Sequence, residues 1–183
     1  MKIIITEEQL KYIIKESDGR TDGTTLKASQ NFWDWLRWHE GDPKKKGEPL
    51  LKAYKDSVGV WTIGYGHTGK EAYEGNTISK GKANSLFIED VNVAAQCIKR
   101  ILKQWKEDNR EGHKLKKNEY EALISLVFNS GCQGVRNSSF IQRVKFGKYD
   151  DAATMILDYK SDGLENRRNA EYELFKNGKY LRE

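Results

Sequence analysis

The feature that most constrains the fold is one long amphipathic helical pattern in the middle of the chain. From about Ser79 to Lys106, apolar residues recur at the three- and four-residue spacing that places them along one face of an α-helix. This apolar stripe consists of Ala83, Leu86, Phe87, Val91, Ala94, Cys97, Ile98, Ile101, Leu102 and Trp105. At a rise of about 1.5 Å per residue, such a helix is about 40 Å long and crosses a whole small domain.

Upstream of this helix, the sequence predicts a shorter helix followed by a small β-hairpin. The shorter helix is expected to begin at Ser29 and to end at Glu40, where Gly41 is a stop signal. Its inner face carries Phe32, Trp35, Leu36 and His39. Residues 50–56 and 60–68 then form two short strands around a turn, and no other region favours β-structure.

Downstream, four shorter helical patterns predict a compact helical lobe. The first begins at Asn118, where Glu121 would complete a capping box, and it runs to about Gly131. The others span about 138–146, 149–159 and 164–177. The predicted fold class is α+β and mostly α, with a β-hairpin lobe and a helical lobe joined by the long helix.

The first 25 residues are predicted to be an appendage that docks on the domain formed by residues 26–183 or on a partner, and docking on its own domain is favoured. Residues 1–16 read as a short amphipathic helix, and residues 17–25, which are rich in turn formers, read as a linker. No apolar run reaches the roughly 7–15 residues of an export signal or the roughly 20 residues of a membrane span. We therefore expect a soluble protein that does not insert into a membrane or export itself.

Charge and motif content limit the class of partner. The net charge of +5 favours an anionic partner such as a cell-wall polymer, a nucleic acid or a membrane surface. The sequence contains no pattern typical of a helix-turn-helix, a phosphate-binding loop, a set of zinc ligands or a nucleophilic serine or cysteine triad. We therefore expect neither nucleic-acid binding nor a metal or other cofactor.

Two cysteines are too few for a disulfide framework. Cys97 and Cys132 are not grouped with histidine at the spacing of metal ligands. Two free thiols are the expectation, and a single bridge between them is the alternative.

Two acids that flank the predicted hairpin are candidates for catalysis. Glu40 ends a helix that is rich in aromatic residues, and Asp56 lies at the hairpin turn, with Thr62 on the second strand. Hydrolysis of a glycosidic bond needs one carboxylic acid to protonate the leaving oxygen and one carboxylate to handle water. A chain with 27 acids contains such pairs by chance, so the alternative is a surface glutamate and a turn-forming aspartate.

Longer motifs favour the catalytic interpretation. The hairpin region contains L-x-A-Y-x-D-x-x-G-x-W-T-I-G-Y-G-H-T, and later segments read A-L-I-S-L-V-F-N-S-G and G-L-E-N-R-R-N-A-E-Y-E-L-F-K-N-G. In this order, over residues 27–178, the chain resembles the phage-type lysozymes, glycoside hydrolase family 24. The resemblance implies a two-lobed, mostly helical fold with a cleft between the lobes. It also implies hydrolysis of the β-1,4 bond between N-acetylmuramic acid and N-acetylglucosamine in peptidoglycan.

The resemblance implies roles for the three candidate residues. Glu40 would be the general acid, Asp56 would position or deprotonate water, and Thr62 would help to hold that water. Fifteen residues separate Glu40 from Asp56, which is seven more than is usual in the family, and the excess lies in residues 42–49 with their three lysines. Because loops tolerate insertions at little cost, we interpret this segment as a bulge at the rim of the cleft.

Further roles follow from the same resemblance. Residues at sugar-contacting positions of the family are Thr68, Phe128, Asn129 and Ser139, although Phe128 is equally suited to the core. Arg167 would pair with Glu40. His67 would form a structural ion pair with Asp90 and would take no part in the chemistry.

The predicted function is that of a phage muramidase acting on bacterial peptidoglycan by single displacement with inversion. The enzyme would be a monomer that resides in the host cytoplasm until lysis and then acts at the cell wall. A separate holin-type protein would open the membrane. Two alternatives stay open: a lytic transglycosylase that breaks the same bond, and a catalytically weak wall-binding or virion protein with residues 1–25 as a docking arm.

Overall fold

The computed structural model describes residues 6–8 and 18–182, and this part of the chain is mostly helical. Its helices are α1 (Gln30–Glu40), α2 (Lys80–Glu107), α3 (Lys117–Arg136), α4 (Ser139–Lys145), α5 (Tyr149–Asp158) and α6 (Glu165–Asn177). Its strands are β1 (Thr21–Asp22), β2 (Leu50–Lys55), β3 (Trp61–Gly64) and β4 (Lys114–Leu115). No helix among the described residues is long and apolar enough to cross a membrane.

Helix α2 confirms the long helix that the sequence predicted. Ser79 caps its first turn by accepting a hydrogen bond from the Lys82 N–H at 3.1 Å, and all ten residues of the predicted apolar stripe are buried. At its N-terminal end α2 contacts β3, where Gly64 lies next to Ala83. Along its length α2 packs against α3, so it joins the hairpin to the helical lobe as predicted.

The hairpin confirms the predicted β-region but is shorter than expected. Strands β2 and β3 are antiparallel, and Tyr54 lies opposite Thr62. The second strand was expected to continue to residue 68, but it ends at Gly64. Gly64 and Gly66 both adopt positive φ, and paired 2.9 Å hydrogen bonds between Ile63 and His67 close a tight turn there.

Helix α3 departs from the prediction at its start, whereas the predicted end near Gly131 coincides with a residue of non-helical backbone. It begins at Lys117, so Glu119 is the residue that caps it, and the Lys116 N–H donates to the Glu119 carboxylate at 2.8 Å. Glu121, which was expected to cap, is fully buried and instead accepts hydrogen bonds from the Ser29 N–H and the Tyr180 hydroxyl. Gly131, with φ 75° and ψ 156°, kinks the helix before its last turn.

Residues 18–25, which were predicted to be part of a linker, are held on the helical lobe, which agrees with docking on its own domain. Strand β1 pairs with β4 in a second short sheet, so the expectation of β-structure in the hairpin alone is wrong. Arg20 forms an ion pair with the buried Glu119 at 2.5 Å. The guanidinium of Arg20 also lies 3.6 Å above the ring of Tyr149. These contacts join residues far apart in sequence, so the local turn-forming composition did not reveal them. The helix predicted for residues 1–16 falls outside the described residues, apart from residues 6–8.

The expectation of free thiols at Cys97 and Cys132 is wrong, because the two residues form a disulfide with a Cα–Cα distance of 6.0 Å. Cys97 lies on the buried face of α2, and Cys132 directly follows the Gly131 kink in α3. Because α2 and α3 pack side by side, residues that are 35 positions apart in sequence come together.

Candidate active site

Glu40 is the last residue of α1, and the packing of that helix determines where its carboxylate lies. The helix begins after Ser29, whose hydroxyl accepts a hydrogen bond from the Phe32 N–H at 3.2 Å. The side chains of Phe32, Trp35 and Leu36 are fully buried. This packing holds the Glu40 side chain against the protein, and only 15% of it is exposed.

Gly41 lets the chain turn directly from α1 into the loop formed by residues 42–49. Its N–H donates to the Arg37 carbonyl at 2.9 Å and so closes the last turn of the helix. A Cβ at this position would lie 2.8 Å from the Glu48 carbonyl oxygen and from the Gly47 nitrogen, so any other residue would displace the loop. The loop therefore folds back directly beside the candidate acid.

An arginine from α6 meets Glu40. The Nη2 atom of Arg167 donates to Oε1 of Glu40 at 2.6 Å, and the Arg167 side chain is 9% exposed. A negative charge at the C-terminus of a helix opposes the helix dipole, and this cation offsets that cost. The structure therefore contains the pair that the family resemblance implied.

A buried polar cluster holds Arg167 from behind. Glu171 Oε1 accepts hydrogen bonds from Arg167 Nε at 3.1 Å and from the Ser125 hydroxyl at 2.6 Å, while Glu171 Oε2 accepts one from Arg168 Nη1. Burial tends to lower the pKa of Arg167, but the charges of Glu40 and Glu171 outweigh it and raise that pKa. The guanidinium therefore remains a fixed cation beside Glu40.

Asp56 occupies the turn between β2 and β3. Its Oδ1 atom accepts hydrogen bonds from the N–H groups of Val58 at 3.0 Å and Val60 at 2.8 Å, which fixes the plane of the carboxylate. Burial raises the pKa of the Tyr54 phenol, and the negative charges of Asp56 and Glu40 raise it further. The Tyr54 phenol therefore keeps its proton near neutral pH.

Thr62 lies on β3 opposite Tyr54 and is only 4% exposed. Its hydroxyl donates to the Val60 carbonyl at 3.1 Å. Since a hydroxyl has one proton and two lone pairs, the Thr62 oxygen can still accept a hydrogen bond from a water molecule.

Glu40 borders a cavity that we call the acid pocket, of about 390 Å³. Its lining consists of Trp38, His39, Glu40, Lys46, Asn129 and residues 163–167. Lys46 belongs to the loop of residues 42–49, and its ammonium group lies 4.8 Å from the centre of the Trp38 ring. One of the three lysines of that loop therefore reaches the pocket of the candidate acid.

A second cavity of about 390 Å³ lies beside the turn that follows β3, and we call it the hairpin pocket. Residues 66–69 line one side, Phe128 lines the other, and the disulfide lies in its wall. Gly66 lies next to Oε2 of Glu40, and Phe128 directly precedes Asn129 of the acid pocket. The walls of the two pockets therefore meet where Gly66 lies next to Glu40.

The predicted site residues fall into three groups in the structure. Glu40, Asn129 and Arg167 line the acid pocket, and His67, Thr68, Asp90 and Phe128 line the hairpin pocket. Asp56 and Thr62 lie on the hairpin and line neither pocket, so the structure does not bring them into the lining that contains Glu40. Ser139 is the first residue of α4 and lines neither pocket, so the structure does not bring it to the rest of the site.

His67 is held between two carboxylates. Its Nδ1 lies 2.8 Å from Asp90 Oδ2, and its Nε2 lies 3.2 Å from Glu71 Oε2. With both ring nitrogens engaged, the imidazole connects the turn after β3 to α2. This geometry accords with the structural role that the resemblance implied.

Sequence reasoning missed the cluster of Ser125, Arg168 and Glu171. One signal for it was present, because Glu171 stands four residues after Arg167 and three after Arg168, the spacings at which helical side chains meet. No local pattern indicated that Lys46 would reach the acid pocket, since its position depends on how residues 42–49 fold. In the part of the chain that the structure describes, no group of three or more His, Cys, Asp or Glu residues is placed to hold a metal ion.

Comparisons with known proteins agree with this architecture. A family model described as phage lysozyme matches residues 46–171, a stretch that begins just after Glu40. The chain is 34% identical over 143 residues to the endolysin of Salmonella phage P22, and the match covers 72% of this chain and 90% of that protein.

Solved structures of phage enzymes share the fold. A crystal structure of a P22 lysozyme mutant is 31% identical with a TM-score of 0.61, and the match covers 82% of this chain and 99% of that one. An endolysin from Escherichia coli O157:H7 phage FAHEc1 is 24% identical with a TM-score of 0.66, covering 86% and 98%. The chain therefore belongs to the phage lysozyme family and is a peptidoglycan-degrading enzyme.

Proposed function

We propose that this enzyme is a muramidase that hydrolyses the β-1,4 bond between N-acetylmuramic acid and N-acetylglucosamine, with Glu40 as the general acid. The observation that carries the proposal is the Glu40 carboxylate at the wall of the acid pocket, held on one oxygen by the buried Arg167. Its Oε2 atom makes no hydrogen bond to residues 6–8 or 18–182 and lies next to Gly66. That oxygen is the one available to carry a proton to the glycosidic oxygen.

Asp56 and Thr62 would supply the water. The two N–H bonds to Oδ1 of Asp56 leave its Oδ2 without a hydrogen-bond partner in the described chain, so that oxygen can accept a proton from water. Thr62 would accept a hydrogen bond from the other O–H of this water, since its own proton is donated to Val60. An inverting enzyme needs a gap of about 6.5–9.5 Å between its carboxyl groups to admit water, and we expect Glu40 and Asp56 to meet that requirement.

The test of the proposal is the clearing of a peptidoglycan suspension by purified protein. Glu40→Gln removes the transferable proton but keeps an acceptor for Arg167, and we expect it to lower kcat by about 10²- to 10⁴-fold. Glu107→Gln is the matched control, because Glu107 is an exposed glutamate at the end of α2 that lines neither pocket, and its replacement should leave clearing nearly unchanged.

Two results would contradict the proposal. One is normal clearing by Glu40→Gln. The other is binding to peptidoglycan without clearing by the wild-type protein, which is the behaviour expected of a wall-binding protein. Dependence on a holin-type protein, residence in the host cytoplasm before lysis and the monomeric state stay predictions.

A further inference from the structure

Glu171 is a fully buried carboxylate for which the mechanism above has no use. Its side chain is 0% exposed, as is that of Arg168. Removing a charged group from water is costly unless partners compensate for the lost hydration. Glu171 meets this condition with three donors from Ser125, Arg167 and Arg168.

The two arginines lead from Glu171 to two different parts of the site. Arg167 reaches Glu40, as described above. Arg168 is anchored by a 2.6 Å hydrogen bond from its Nε to the Tyr159 carbonyl. Its Nη2 then donates to Oδ1 of Asn129 at 2.6 Å.

The bond from Arg168 fixes the orientation of the Asn129 amide. A guanidinium only donates, so the Asn129 atom that faces it must be the oxygen. The NH₂ group of Asn129 then has no hydrogen-bond partner among the described residues, and Asn129 lines the acid pocket. It is therefore left as a donor for a carbonyl oxygen of the substrate.

We propose that Glu171 is a positioning residue that sets both the Glu40–Arg167 pair and the orientation of the Asn129 amide. This inference rests on the proposed role of Glu40 as general acid. Glu40, Arg167, Arg168 and Glu171 carry formal charges that sum to zero. Loss of the Glu171 charge leaves one uncompensated positive charge behind Glu40.

Glu171→Gln tests the proposal with little change in volume. An amide has one acceptor oxygen and one NH₂ group. The glutamine oxygen can therefore accept a hydrogen bond from one of the two arginines, while its NH₂ group, which only donates, faces the other arginine. Since misplacement of about 1 Å costs up to about 10²-fold, we expect kcat to fall by about tenfold to a hundredfold. KM should also rise, because Asn129 loses its fixed orientation.

The pH profile separates positioning from a general loss of folding. Around Glu40, the other charged or titratable groups are His39, Lys46, Tyr54, Asp56, Glu165 and Arg167. Glu171→Gln replaces none of these groups, but it removes the negative charge behind Arg167, and the net positive charge that remains favours the ionised form of Glu40. A general acid is lost when it ionises, so the basic limb of the profile should move to lower pH in Glu171→Gln.

Glu121→Gln is the matched control. Glu121 is another fully buried glutamate of the helical lobe, and its partners, Ser29 and Tyr180, lie outside both pockets. We expect both variants to lose thermal stability, but only Glu171→Gln should show the lower kcat and the shifted basic limb. If Glu171→Gln does not fold, Ser125→Ala removes the donor to Glu171 Oε1 and the acceptor of a 3.1 Å hydrogen bond from Arg167 Nη2, and it should lower kcat severalfold.

The proposal is overturned if Glu171→Gln, or Ser125→Ala in its place, keeps the wild-type kcat per folded molecule and the wild-type pH limb. It is also overturned if Glu121→Gln changes both quantities to the same extent. If Glu40→Gln is inactive and either of these two results is found, the positioning role of Glu171 is wrong but the proposed function stands. If Glu40→Gln is active, the proposed function itself is wrong.

Discussion

At the residue scale, His39 shows how the environment beside the acid sets a charge state. The ring lies between Trp35 and Trp38, with centroid distances of 4.5 and 4.8 Å, and its Nε2 is 3.1 Å from the Leu181 carbonyl. Burial, together with the positive charge of Arg167, lowers the pKa of His39 to about 3. The ring is therefore neutral near pH 7, and its Nε2 carries the proton that the carbonyl accepts.

This neutral histidine predicts a pH dependence of stability. The pKa of a histidine in the unfolded chain is about 6.5, so the unfolded state binds a proton below that pH while the folded state does not until about pH 3. The free energy of unfolding should therefore fall as the pH drops from about 6.5 toward 3, by up to about 1.4 kcal/mol per pH unit. His39→Gln keeps a donor for Leu181 but cannot titrate.

Urea denaturation at pH 7 and at pH 4.5 measures the effect. We expect the wild type to lose more stability between these two values than His39→Gln does. Other acids titrate in both proteins and cancel in the comparison. Equal losses would mean that His39 is protonated in the folded state at pH 4.5.

At the scale of elements, the connection between α1 and β2 is a folded unit and not a loose insertion. The Asp42 N–H donates to the Glu48 carbonyl at 2.7 Å, and the Tyr65 hydroxyl donates to the Gly47 carbonyl at 3.0 Å. Lys80, at the start of α2, pairs with Glu48 at 2.5 Å. These contacts hold the loop of residues 42–49 so that Lys46 lines the acid pocket.

From the fold of this loop, we predict that Lys46 affects substrate binding more than the other two lysines of the loop do. Because Lys46 adds a positive charge next to Glu40, Lys46→Gln should raise the KM for anionic peptidoglycan roughly twofold to fivefold, and added salt should shrink the difference. Lys44→Gln is the control, since Lys44 does not line the pocket. Equal KM values for the two variants at low salt would show that the loop acts only through net charge.

At the scale of the whole molecule, local patterns predicted the elements, but long-range packing decided how they meet. The stripe from Ala83 to Trp105 predicted α2 because helix periodicity is a local property. The Cys97–Cys132 bridge and the docking of Arg20 on Glu119 depend on contacts across 35 and 99 positions, which periodicity does not register.

For the candidate site, too, local motifs predicted some residues, whereas long-range packing decided the place of others. Glu40, Asp56 and Thr62 were selected from the chemistry of two carboxylates and from motifs near the hairpin. The role of Glu171 could not be predicted, because the sequence does not distinguish a buried glutamate from a solvated one. Ser139 was selected from a motif alone, and the fold places it away from both pockets.

The central claim is that water, handled by Asp56 and Thr62, completes the cleavage that Glu40 begins. Mass spectrometry of digested peptidoglycan tests this most directly, because a hydrolase adds water to the bond and a lytic transglycosylase closes an anhydro ring instead. We predict products with a reducing N-acetylmuramic acid end, and the loss of these products in Asp56→Ala. Anhydro-muramic products that persist in Asp56→Ala would contradict the account.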